Sequence, residues 1–155
     1  MERCKLNEIY RRLDLKAREI SQLLNCSFAY YNGHYSKNAM GNYEMDYFPI
    51  PVVSLKGVCD IEIDLDKISV TTKLSRDAAL SYNFEKVKSF NFEVYGVENY
   101  LDDFYIAGDT ISEIKERIRK SQEQNVFFSF SFPFEVASDV VREFVNFLGG
   151  EGFFY

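Results

Sequence analysis

Along residues 58–74, apolar and polar positions alternate on both sides of a short polar turn. Cys59, Ile61, Ile63 and Leu65 fall on one face of a first strand, with Asp60, Glu62 and Asp64 on the other. After the turn, Ile68, Val70 and Thr72 continue the apolar face, while Ser69, Thr71 and Lys73 point outward. A period of two belongs to a strand with one side buried and one side wet. The stretch predicts an antiparallel hairpin in a one-sided sheet, whose outer face carries a row of carboxylates and no other catalytic group.

Upstream, Leu6, Ile9, Tyr10, Leu13, Ala17, Ile20 and Leu24 recur at steps of three and four, which predicts an amphipathic helix over residues 5–24 with Asn25 as its stop. The opposite face carries Lys5, Arg11, Arg12, Lys16 and Arg18, a solvated face or a docking surface for an acidic partner. Residues 26–31 read as a short strand and 32–48 as a long loop without a regular period. Pro49 and Pro51 exclude a helix and lead into a strand beginning near Val52, and Gly57 marks a break before the hairpin.

Downstream, Ser75 caps a short helix through Tyr82, and a strand over 90–95 ends at Gly96. Val97, Tyr100, Leu101, Phe104 and Tyr105 have helical spacing, predicting a helix ended by Gly108. Thr110 and Glu113 form a capping box for the next helix, which buries Ile111, Ile114 and Ile118 and pairs Glu116 with Lys120. Residues 125–132 form a strand with Val126, Phe128, Phe130 and Phe132 on the core face and Phe127, Ser129 and Ser131 against a helix on the other; Pro133 ends it. Ser138 caps a last helix that turns Val140, Val141, Phe144, Val145 and Leu148 inward before Gly149 and Gly150 stop it. The apolar tail Phe153, Phe154 and Tyr155 follows. The expected fold is α+β: a single domain with a mainly antiparallel sheet of about five strands and helices packed mostly on one face.

At 155 residues and 46% apolar content, the chain has enough core to fold without disulfides or metal. Its 15 Phe and 11 Tyr, with no Trp, are more rings than one small core absorbs, which points to a homo-oligomer, a symmetric dimer. A net charge of −6 and a pI near 4.9 argue against a nucleic acid or an anionic membrane as partner, since both need a concentrated positive field. No apolar run approaches the length of a membrane span, and the first residues open straight into a charged amphipathic segment, so a cytoplasmic protein is expected.

The candidate chemistry is sparse. Cys4, Cys26 and Cys59 contain no Cys-x-x-Cys pair, and no glycine-rich phosphate loop is present; no cofactor is expected. Asp60, Glu62, Asp64 and Asp66 are spaced about 7 Å apart along a strand, too far to share one proton or one metal ion. Residues 62–66 begin like a calcium loop, but Lys67 replaces its turn glycine and Lys73 its closing glutamate. The aromatic strand at 127–134 lacks the basic-glycine entry of RNA-stacking strands.

The strongest candidate is the tyrosine-rich loop. Tyr30, Tyr31, His34, Tyr35 and Lys37, with Tyr43, Glu44, Asp46 and Tyr47 farther along, combine large low-entropy contact groups with adaptable Asn, Ser and Gly. As an enzyme site the same segment would use His34 as general base, oriented by Asp46 or Glu44, or paired with Cys26 or Cys59.

The order helix, three strands, helix, strand, then a later strand and helix resembles that of the small acidic chaperones of type III secretion and their relatives. The resemblance implies a cytoplasmic, dimeric protein that binds unfolded segments of a client. The two helices expected over 97–122 depart from it. The leading expectation is a non-catalytic protein- or peptide-binding domain, with a small-molecule site around His34 and a structural subunit of a larger assembly as alternatives.

Overall fold

The computed structural model describes residues 3–30, 34–37, 39–41, 43–47, 49–96, 104–106, 111–122 and 124–150. Along the chain these form α1 (Arg3–Leu23), β1 (Phe28–Tyr30), β2 (His34–Lys37), β3 (Tyr43–Tyr47), β4 (Pro51–Leu55), β5 (Cys59–Ile63) and β6 (Lys67–Ser75). There follow α2 (Arg76–Ser81), a 3-10 turn (Phe84–Lys86), β7 (Phe92–Gly96), β8 (Phe104–Ile106), α3 (Ile111–Lys120), β9 (Asn125–Pro133) and α4 (Ser138–Gly150).

The 58–74 alternation sits in the middle of a seven-stranded sheet ordered β1-β4-β5-β6-β9-β7-β8, with every pairing antiparallel. Register joins Val53, Ile61, Val70, Phe130 and Phe92 into one apolar row across five strands. Directly opposed residues share a face, so the row next to it, Ser54, Asp60, Thr71, Ser129 and Glu93, lies on the other side.

The helices cover the apolar face. One buried cluster joins that face to Leu13, Ala17 and Ile20 of α1, Ala79 of α2, Ile114 and Ile118 of α3, and Val141, Phe144 and Leu148 of α4. Rings dominate its contacts. Phe84 stacks on Phe128 at 5.4 Å, and Phe144 lies 4.9 Å from Phe130 and 4.7 Å from Phe90. Such pairs contribute about 0.5–1.5 kcal/mol beyond their burial.

Local signals end the elements where the sequence indicates. Asn25 takes a left-handed φ of 52° after α1, and Cys26 N–H donates to Ser21 O at 2.9 Å, a glycine-type helix stop built on Asn. Gly57, at φ 77°, turns the three-residue link between β4 and β5, a conformation that L side chains adopt at a cost of about 1–2 kcal/mol. Ser75 Oγ accepts from Ala78 N–H at 3.1 Å and caps α2.

The α+β fold with a mainly antiparallel sheet is as expected, with seven strands where about five were counted. Several expectations are corrected. A further pair, β2 and β3, forms its own two-stranded sheet where an irregular loop was expected. Phe104 and Tyr105 are in a strand, not a helix: β8 pairs Tyr105 with Tyr95 and Phe104 with Gly96. Aromatic side chains suit a sheet, and tertiary pairing overrides a helical spacing that five apolar residues can produce by coincidence. Residues 97–103, 107–110 and the tail 153–155 lie outside the described residues. Leu65 is exposed in the β5–β6 turn, and Val140 is exposed on α4 rather than inward. Ser138 is the first residue of α4 rather than its cap; its hydroxyl donates to Glu19 Oε2 at 3.0 Å, tying α4 to α1.

Phe127, Ser129 and Ser131 face away from the helices, because all four helices share the cluster on the opposite face. The basic face of α1 is largely engaged within the chain. Arg18 pairs with Asp14 at 2.7 Å, Arg12 lies 4.9 Å over the Phe134 ring, and Lys16 donates to the Val136 carbonyl. Of the 15 Phe, 11 have described side chains, five of them buried and six half-buried.

Phe128 is fully buried where the 3-10 turn, β7 and β9 meet. Phe128→Ala is expected to cost about 3–5 kcal/mol, read as a lower urea midpoint with an unchanged slope.

Candidate functional site

The tyrosine-rich segment is built from its base outward. Tyr30, the last residue of β1, lies edge-on to Tyr10 at 6.0 Å and to Phe28 at 6.1 Å. Its hydroxyl donates to Asp14 Oδ1 at 3.4 Å, the carboxylate that also holds Arg18. Burial, then the adjacent Asp14 charge, push the Tyr30 phenol above its ordinary value, so it remains a donor at neutral pH.

Beyond Tyr30 the chain forms an antiparallel arm. Lys37 pairs with Tyr43, Ser36 with Glu44, Tyr35 with Met45, and His34 with Tyr47. The register shifts between His34 and Tyr35, so Asp46 is the extra residue of a bulge and stands beside His34 along the ladder. At the tip Gly41 takes φ 85°, and Met40 is 85% exposed. The arm thus gathers His34, Tyr35, Lys37, Tyr43, Glu44, Asp46 and Tyr47 on one hairpin, with Tyr30 at its root; Tyr31 lies outside the described residues. The signal for a hairpin is present in the sequence. Residues 43–47 alternate Tyr, Glu, Met, Asp, Tyr, and a turn-prone Asn-Ala-Met-Gly-Asn run precedes them.

The outer face of the sheet is the second surface. It is mostly hydroxyl and charge, with Thr71 Oγ1 donating to Ser129 Oγ at 3.2 Å. Val52 and Ser69 flank Glu62 in register on this face and are buried, at 2% and 8% exposure. Glu62 itself is exposed by area, yet the protein around it raises its pKa, Asp60 adds to the shift, and Lys67 opposes it. At the end of this face a cleft of about 500 Å³ opens beside the β4–β5 turn, with Lys56, Asp60, Thr71, Lys73 and Phe127 among its lining residues. The sequence gives no hint of it, because it depends on where neighbouring ladders stop.

The described thiols are quiet. Burial first, then the neighbouring Asp60, push the Cys59 thiol up to about 12, and burial raises Cys26 as well. A neutral thiol is a poor nucleophile. Among the described residues no group of three His, Cys, Asp or Glu could hold a metal ion, and no helix is long and apolar enough to cross a membrane.

No family model and no curated protein matches this sequence. Among solved structures, a conserved hypothetical protein from Pyrococcus furiosus is similar, with a TM-score of 0.63 at 18% identity over 94% of this chain and 93% of that one. At that identity the likeness concerns the fold alone.

A raised carboxyl pKa means that the folded state holds its proton longer than the unfolded state does. Stability therefore falls as pH rises from the ordinary carboxylate range to the raised value of Glu62. Glu62→Gln is expected to raise the melting temperature slightly at neutral pH, the small size following from solvent exposure. The gain disappears below the ordinary carboxylate range; a gain independent of pH contradicts the assignment. Alkylation at mildly alkaline pH, mapped by mass spectrometry, is expected to label Cys26 before Cys59.

Proposed function

We propose that this chain is a non-catalytic, cytoplasmic domain that binds a protein or peptide, in the manner of an adaptor or chaperone, through the arm formed by β2 and β3 and through Tyr30 at its root. The observation that carries the reading is the arm itself. Among the described residues it pairs with no strand of the main sheet, and it ends in the exposed Met40. A two-stranded hairpin is marginal on its own in water, so contact with another molecule would stabilise it. Tyrosine gives such a contact large area at low entropy cost, and methionine adapts to irregular surfaces. Backbone groups on the arm's outer edges can also extend a partner strand.

A second reading, a small-molecule site around His34, draws on the bulge that sets Asp46 beside His34 in the ladder. The two readings diverge in a simple series of variants. Tyr35→Ser combined with Met40→Ser is expected to abolish co-purification of a partner from native lysate, with thermal melting within a few degrees of the parent chain. His34→Gln is expected to leave that association intact. A partner retained by the double variant, or a parent chain that runs as a monomer by light scattering and holds no partner, contradicts the proposal.

A further inference from the structure

The open end of the sheet offers a ligand site separate from the arm. β5 and β6 pair from Ile63 with Ile68 to Asp60 with Thr71, whereas β6 and β9 stay paired as far as Ser75 with Asn125. Beyond Thr71, β6 therefore has a strand on one side and, on the other, the turn that follows β4. That turn is held by Thr72, whose hydroxyl donates to the Val58 carbonyl at 2.8 Å. The resulting notch is the cleft of about 500 Å³, a volume within the range that small organic ligands fill.

Its chemistry is mixed. Phe127, Leu55 and Val58 give half-buried apolar surface. Lys56 and Lys73 bring two ammonium groups, and among the described residues neither makes an ion pair or a ring contact. Many other described basic residues are engaged: Arg18 with Asp14, Lys88 with Glu85, Arg119 and Lys120 with Glu116, and Arg142 with Asp139 in ion pairs, Lys16 and Arg76 on backbone carbonyls, and Arg12 and Lys115 over phenyl rings. Asp60 is the single carboxylate in the lining, so the notch keeps a net positive charge within a chain of net charge −6. Phe127 stands directly opposite Lys73 across the β6–β9 ladder, so both side chains share this face.

We propose that this notch binds a small carboxylate with an apolar or aromatic body, the carboxylate lying between Lys56 and Lys73 and the body on Phe127. A recess with apolar walls strengthens such an ion pair relative to open water and selects against ligands that lack the charge.

The probe is hydrocinnamate, titrated at low ionic strength into the full chain while backbone amide shifts are followed by NMR. Its neutral isostere, hydrocinnamamide, is the control. Saturable shifts confined to residues 55–60, 71–73 and 125–127 are expected, with about tenfold weaker binding of the amide, as the loss of one charge-assisted contact implies. Lys56→Gln and Lys73→Gln are each expected to weaken the carboxylate and leave the amide unchanged. No saturation at millimolar ligand, shifts centred elsewhere, or equal binding of acid and amide would overturn the proposal. The acid–amide comparison uses the unaltered chain, so it decides the matter even if a lysine variant fails to fold.

Discussion

The pairing of β6 with β9 holds this structure together. Nine consecutive residue pairs, from Lys67 with Pro133 to Ser75 with Asn125, bring together segments whose partners lie at least fifty residues apart in the chain. The register is fixed by burial. Ile68, Val70, Thr72 and Leu74 meet Phe132, Phe130, Phe128 and Val126 on the helix side, and a slip of one residue would send all of them to the outer face. The other strands of the seven-stranded sheet are placed relative to this ladder. β5 and β4 add on one side and β7 and β8 on the other, and the helices follow the apolar rows that result.

Both candidate surfaces are by-products of that arrangement. Since β9 accompanies β6 to its end and β5 does not, the sheet has a notch where the β4–β5 turn stands in for a strand. Among the described residues, β1 pairs with Pro51, Val52 and Val53, and β2 and β3 pair with each other and not with the main sheet.

Much of the fold was legible in the sequence because its strongest elements are strongly periodic. The 58–74 alternation, the stripe of α1 and the Phe-rich β9 each announce a buried face, and Asn25, Ser75 and Pro133 mark ends by local chemistry. Legibility failed where tertiary context decides. Phe104 and Tyr105 have helical spacing from Val97, but they pair with β7 in a strand. The Tyr35 and Tyr43 segments are a hairpin whose alternation is short and interrupted by a bulge at Asp46. The outer face of β9 was expected to meet a helix because Phe127 is apolar, and one apolar residue followed by Ser129 and Ser131 on the same face does not define a helix contact. The candidate residues of the arm were legible as a group of binding-type side chains, whereas the notch was not, since no sequence pattern records where β5 stops pairing.

The central claim is that the sheet carries the stability and the arm is a separate element available to a partner. Native-state hydrogen exchange of the isolated chain tests it directly, because local and global opening are separated amide by amide. The account predicts that amides of β6 and β9 exchange only at the global unfolding limit, while those of His34–Lys37 and Tyr43–Tyr47 exchange through a much smaller local opening. Arm amides protected as strongly as those of β6 and β9 would contradict it, since the arm would then belong to the cooperative core.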